Sequence, residues 1–288
     1  MIENLEVKLR SIQLEDIENC MLLSYSEGWN QTKNDWKRLV ENPLNTSLLA
    51  EIENKIIGSA IAMNYSNAVV WIGMVLVDKA FRGRGISKML LQDLLNQLQS
   101  CQSVKLDATP AGRPVYKKYQ FKDEYIIHRM TNLSMEKFQP LISSIKAEPI
   151  LSSDVTEVVG LDCLSFGAER SFLLNSLIAE NPGKCWCVKK NGRITALALG
   201  RQGNRYHHIG PVSASTLEEA KVLISHCLLL LVGQPVVLDI LSDKKELFEW
   251  LVSIGFTSQR YFVRMYLDKN PNPGKLENQF LICGPEFG

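Results

Sequence analysis

Arg82-Gly83-Arg84-Gly85-Ile86-Ser87 is the stretch whose residue types and spacing most directly carry chemistry. Two glycines one residue apart make a turn whose backbone N–H groups can point outward, and two arginines add positive charge beside it. Where such a turn opens a helix, the free N–H groups and the helix dipole favour an anion, and glycine lets a phosphate come close to the backbone. The chemistry on offer is the holding of a phosphate-bearing molecule.

The flanking residues supply the elements this requires. Trp71 to Val77, WIGMVLV, is an apolar run that reads as a buried strand. Beyond the turn, Ile86, Met89, Leu90, Leu94, Leu95 and Leu98 recur at helical spacing. Two common phosphate loops are excluded. No G-x-x-x-x-G-K-[ST] string occurs, and Gly83-x-Gly85 is followed by Lys88 where a dinucleotide-binding turn needs its third glycine.

With 288 residues, 45% of them hydrophobic, the chain has material for two domains. A formal charge of +1 argues against bulk attraction to nucleic acid, and the basic residues near Arg82 are not interleaved with aromatics. No apolar run approaches the roughly 20 residues that span a bilayer. The segment MIENLEVKLR lacks the apolar core of a signal peptide. No membrane partner and a cytoplasmic location are therefore expected. The seven cysteines, mostly in apolar contexts such as His226-Cys227-Leu228, read as buried thiols. Cys185-Trp186-Cys187 has no second Cys/His pair at zinc spacing, so no metal is expected.

The chain repeats itself. In the first half, a strand-like VKLRS precedes an amphipathic segment from Leu14 to Tyr25 and a helix over Thr32 to Val40, ending at Glu41-Asn42-Pro43. In the second, Ser153-Asp154 opens a helix, and another from Arg170 to Ala179 ends at Glu180-Asn181-Pro182. A hairpin follows each Asn-Pro, turning at Glu53-Asn54 and at Asn191-Gly192. Trp71-Ile72-Gly73-Met74-Val75 matches His208-Ile209-Gly210-Pro211-Val212, and Asp107 and Asp239 end matched strands. Phe121 precedes Arg129-Met130 by the interval that separates Phe256 from Arg264-Met265. Ordered landmarks of this kind indicate duplication, with a connector from about Asn132 to Glu148.

The turn resembles the acyl-CoA loop of the GNAT acetyltransferase superfamily, [QR]-x-x-G-x-[GA], with Ser87 for the final small residue. Val77-Asp78-Lys79-Ala80-Phe81 is similar to the V-x-P-x-[YF] lead-in, with Lys79 for Pro. Tyr116-Lys117-Lys118-Tyr119-Gln120-Phe121 is similar to the family's Y-x-x-x-G-F helix end, with Gln120 for Gly. Leu106 to Gly112 followed by Tyr116 resembles two-domain members whose C-terminal domain is a GNAT-like relative. The likeness covers about residues 5–131.

It implies an α/β (α+β) fold of tandem GNAT-like units, each a twisted, mixed, mostly antiparallel sheet flanked by helices. Residues 1–135 would be the acetyl-CoA-binding catalytic domain and 146–288 a degenerate copy. Backbone groups of Val75 and Val77 would pair with the pantetheine arm. N–H groups of Gly83, Gly85, Ile86 and Ser87 would hold the pyrophosphate, with Arg82 and Arg84 nearby, and Thr109 takes the position of an Asn common in relatives. Tyr116 is the implied acid for the departing thiolate. For the base, Asp107 stands beside water-mediated deprotonation, and a turn role for Asp107 is equally open. The loop Ser26–Gln31, including Trp29 and Asn30, would wall the acceptor pocket. The expected activity is acetyl transfer from acetyl-CoA to an amine of a small molecule or protein; the alternative is a non-catalytic acyl-CoA sensor or partner-binding protein.

The halves differ where the chemistry lies. The second has no Arg-Gly-x-Gly turn, and Thr216-x-x-Glu219 reads as a capping box that fills the helix's own N–H groups. Leu251 stands where the first half has Tyr116. Only the first half is expected to bind CoA, leaving the second as scaffold, pocket wall or interdomain partner.

Overall fold

Ten elements occur in one order and then again. The first set is β1 (Lys8–Ser11), α1 (Ile17–Ser26), α2 (Lys33–Glu41), β2 (Thr46–Ile52), β3 (Lys55–Tyr65), β4 (Val69–Val77), α3 (Ile86–Gln97), β5 (Val104–Ala108), α4 (Arg113–Lys118) and β6 (Phe121–Asn132). The second is β7 (Glu148–Pro149), α5 (Val155–Phe166), α6 (Ser171–Glu180), β8 (Trp186–Lys190), β9 (Arg193–Gln202), β10 (His207–Ala214), α7 (Leu217–Leu229), β11 (Val236–Leu241), α8 (Lys245–Ser253) and β12 (Thr257–Leu267). An extra strand, β13 (Gln279–Leu281), follows. The computed structural model describes residues 6–135 and 138–288, so positions 1–5 of the N-terminal reading and 136–137 of the connector lie outside the described residues.

The local causes are legible. Glu53, Asn54, Asn191 and Gly192 take positive φ and close the two hairpins. Thr32 caps α2 by accepting the Asp35 N–H, and Asp35 returns the bond to Thr32. Leu90, Leu91 and Leu94 of α3 are buried against β2, β3 and β4. Helices α1, α2, α5 and α6 share a core that holds Trp36, Trp71, Leu173 and Phe287 from both halves.

All strands join one 13-stranded sheet in the order β1-β2-β3-β4-β5-β12-β6-β11-β13-β10-β9-β8-β7. The centre of that order is an exchange. Strand β12 of the second half lies against β5 of the first, and β6 of the first lies against β11 of the second. Two reciprocal ion pairs fasten it. Arg264 reaches both Asp107 oxygens at 2.8 and 2.9 Å, and Arg129 reaches both Asp239 oxygens at 2.7 Å. The repeated Asp and Arg landmarks are thus each other's partners across the halves. Bidentate geometry of this kind suits burial, where an unpaired charge would be strongly unfavourable.

Each half splays open once. β4 and β5 run parallel for three residue pairs, ending at Ile72–Leu106. β10 and β11 do the same, ending at Ile209–Leu238. In the second half β13 fills the gap, pairing antiparallel with both β10 and β11. In the first half, among the described residues, no strand pairs with β4 beyond Ile72 on the β5 side.

Candidate functional site

The open splay begins where β4 bulges. Ser59 pairs with Leu76 and Ile61 with Gly73, so β4 carries one extra residue there. Met74 takes φ of 51°, a left-handed conformation that strains a non-glycine residue by about 1–2 kcal/mol. The buried Ser59 hydroxyl holds it, donating to the Met74 carbonyl at 2.8 Å.

Beyond the bulge, Val75, Val77, Gly83, Gly85, Ile86, Ser87 and Thr109 line one cavity of about 450 Å³. Gly83 and Gly85 have φ of 77° and 80°, which explains glycine at both positions. The Gly85 carbonyl accepts the Met89 N–H, and no side chain caps α3. Its first N–H groups are therefore available to a ligand. Arg82 is anchored, with Nε donating to the Val77 carbonyl at 3.2 Å and Nη2 to Glu27 at 2.5 Å. Arg84 is exposed, with its guanidinium 5.3 Å from the Phe81 ring centre. At the matching helix α7, the Thr216 hydroxyl accepts the Glu219 N–H and Glu219 accepts the Thr216 N–H, so the expected capping box is present.

An adjoining cavity of about 130 Å³ lies deeper, lined by Trp29, Gln31, Gly73 to Val75, Asp107, Thr109, Tyr116, Arg129, Arg260, Phe262, Pro285 and Glu286. Thr109 accepts the Gly112 N–H at 3.1 Å and so starts α4. Half-buried Tyr116 packs edge-on to Phe121, and burial pushes its hydroxyl up to about 12. Trp29 lines both cavities.

Two expected residues are otherwise engaged. Both Asp107 oxygens accept from Arg264, so the carboxylate that lines the cavity is paired across the halves. Burial raises its pKa, and the Arg264 guanidinium opposes that rise. Asn30 ties the halves together: its Oδ1 accepts the Arg205 and Tyr206 N–H groups at 2.9 Å, and its Nδ2 donates to the Tyr206 carbonyl at 3.2 Å. Its side chain is a strut between the halves.

Glu286 was not singled out from the sequence. The segment after β13 leaves the second half's splay and crosses β4, where the Trp71 indole donates to the Pro285 carbonyl at 3.0 Å. The Tyr65 hydroxyl holds the Phe287 carbonyl at 2.8 Å. Glu286 is thereby buried in the first half's cavity, with Oε1 2.5 Å from Arg201 of β9. Burial raises its pKa above the usual carboxylate value. A carboxylate whose pKa is raised in this way is a stronger proton acceptor than an ordinary one. The available signal was the pair of matched glycines, Gly73 and Gly210, since both lie under this one segment.

Among the described residues no cluster of His, Cys, Asp or Glu is assembled for a metal, and no helix is long and apolar enough to cross a membrane. The described cysteines are free thiols.

Comparison with known proteins agrees with this architecture. A profile described as "Acetyltransferase (GNAT) domain" matches residues 22–128, and a second with the same description matches residues 158–281. The chain is similar to the uncharacterized N-acetyltransferase YitH of Bacillus subtilis (strain 168), 26% identical over 205 residues, 69% of this chain and 70% of the relative. It is also similar to holothin acyltransferase of Pseudoalteromonas sp. (strain SANK 73390), 21% identical over 264 residues, 91% of this chain and 88% of the relative. In fold it is similar to a crystal structure of a proposed acetyltransferase from Pyrococcus horikoshii, with TM-score 0.82 at 20% identity over 100% of this chain and 99% of that one. A tandem GNAT protein from the clavulanic acid biosynthesis pathway gives TM-score 0.65 at 10% identity, covering 92% of this chain and 99% of that one.

Proposed function

This chain belongs to the GNAT acetyltransferase superfamily, and from that premise we propose that it moves an acetyl group from acetyl-CoA to an amine, with the first half's splay as its single CoA site. The observation that carries the reading is the contrast between two related clefts. One is open beside an uncapped helix with a glycine turn. The other is occupied by β13 beside a helix capped by its own side chains.

In this reading the N–H groups from Gly83 to Ser87 hold the pyrophosphate, and Arg84 adds charge at the rim. The unpaired edge of Val75 and Val77 receives the pantetheine arm as an added strand. Thr109 lines the same cleft. The amine nitrogen attacks the thioester carbonyl; the C–N bond forms, the C–S bond breaks, and the amine loses one proton. Glu286 accepts that proton. Tyr116 donates a hydrogen bond to the departing thiolate. With its hydroxyl near 12 against about 8.5 for a thiol, stabilisation is favoured over full proton transfer, and water completes the thiol. Asp107 acts at one remove, by fixing Arg264 and so the exchanged strand.

Calorimetric titration with acetyl-CoA, followed by thiol release across an amine panel, tests the proposal. Binding with turnover is expected. Tight binding with no turnover above background for any amine would leave an acyl-CoA sensor in its place.

A further inference from the structure

Arg260, in β12, lines the reacting cavity and also an adjoining pocket of about 210 Å³ that contains Arg129, Arg205 and Tyr206. It makes no ion pair among the described residues, and its buried Nε has no hydrogen-bond partner. Gln31 Oε1, on the same cavity, is also buried without a partner. The other charges of the cavity are matched within the protein: Asp107 with Arg264, Arg129 with Asp239, Glu286 with Arg201. Within the cavity of about 130 Å³, Arg260 is therefore the charge without a counter-ion among the described residues, and Gln31 Oε1 is an unsatisfied acceptor on the same lining.

Resting on the acetyl-transfer reading, we propose that the acceptor is a small amine that also bears a carboxylate, and that Arg260 holds that carboxylate. A guanidinium fork fits a carboxylate with two parallel bonds. The N–H of the same molecule then has Gln31 Oε1 and Glu286 as acceptors. Filling the site removes two unsatisfied buried atoms at once, which neutral amines do only in part. The cavity of about 130 Å³ limits the reacting end to a compact group. The cation also serves the chemistry, because a nearby positive charge disfavours the ammonium form and the attacking amine must be neutral. Burial, with Arg129 adding to it, lowers Arg260 to about 10, so it remains charged at neutral pH.

The test compares the common amino acids with their decarboxylated amines, and with phosphoethanolamine, in the wild type, R260Q and R260K. Thiol release reports turnover, calorimetry reports acetyl-CoA affinity, and thermal melting reports folding. Because Arg260 has no ion pair to lose and only the Phe262 ring, 5.2 Å away, beneath its guanidinium, R260Q should melt close to the wild type. Amino acids should exceed their decarboxylated amines in kcat/KM by about 100-fold. R260Q should raise the acceptor KM by a similar factor with acetyl-CoA affinity unchanged, and R260K should recover part of the loss. Equal use of both sets, a preference for phosphoethanolamine, or an R260Q defect in acetyl-CoA binding would overturn the inference while leaving acetyl transfer intact. Acetyl-CoA binding with no amine acetylated would remove both.

Discussion

Glu286 crosses β4 directly over Gly73: a side chain built on Gly73 would begin 3.1 Å from the Glu286 Cα. The same segment passes over Gly210, where the Ile282 carbonyl lies well inside contact distance of such a carbon. One stretch of chain closes the second half's cleft and delivers a carboxylate to the first half's cavity.

Gly73→Ala should therefore act on chemistry at a distance from the CoA loop. The backbone there needs no glycine conformation, so crowding is the only new term. A shift of the Glu286 segment by part of an ångström should lower kcat by about 10- to 100-fold. Steady-state kinetics should show this with the Kd for acetyl-CoA unchanged.

Glu286→Gln keeps the shape and removes the proton acceptor. A loss in kcat of about 10² to 10⁴ is expected. Activity needs the deprotonated form, and burial raises its pKa, so the wild-type rate should fall on acidification through a limb above the ordinary carboxylate value of 4.5. The pH profile of the variant should lack that limb; a profile that retains it assigns the limb elsewhere.

Gly85→Glu should abolish acetyl-CoA binding while the protein stays folded. The position is exposed and a Cβ there meets nothing within 4 Å, so the added carboxylate clashes with no neighbour and brings charge repulsion together with left-handed strain. Gly85→Ala separates the terms, since it adds only the left-handed strain of about 1–2 kcal/mol. Calorimetry on both variants decides between repulsion and strain.

Tyr116→Phe removes the hydroxyl and keeps the packing on Phe121. Turnover should fall by more than CoA affinity, by about 10- to 100-fold for one lost hydrogen bond to the leaving group. Parallel kcat and Kd measurements make the comparison; unchanged turnover would return Tyr116 to packing.

Asp107→Asn leaves Arg264 buried without its counter-charge. A stability loss of about 3–5 kcal/mol is expected, seen in denaturant melts. If instead stability holds and only kcat falls, Asp107 is the base and Glu286 is not.

Much of the fold was legible because duplication displays each landmark twice. The glycine turn, the capping box at Thr216 and both hairpins follow from local rules that tertiary contacts did not override. The exchange was not legible. Asp107 and Asp239, with Arg129 and Arg264, were visible as repeated landmarks, but a repeat is equally compatible with pairing inside each half or across them. Asn30 and Asp107 have residue types suited to a site, yet their partners, Arg205 with Tyr206 and Arg264, lie more than 150 positions away. Glu286 sits in QFLICGPEFG, where nothing local distinguishes an exposed carboxylate from one carried into a cavity. Only the small side chains it passes, Gly73 and Gly210, register its path in the sequence.

The exchanged strands also set an order in time. During synthesis β5 emerges about 150 residues before β12, its eventual neighbour, and β6 waits in the same way for β11. The central sheet cannot close on a half-made chain, and pairings this distant form slowly. Residues 279–286 leave the ribosome after the strands β4, β9, β10 and β11 that they contact. A single segment thus stops one cleft and lines the other only after the strands of both have been made.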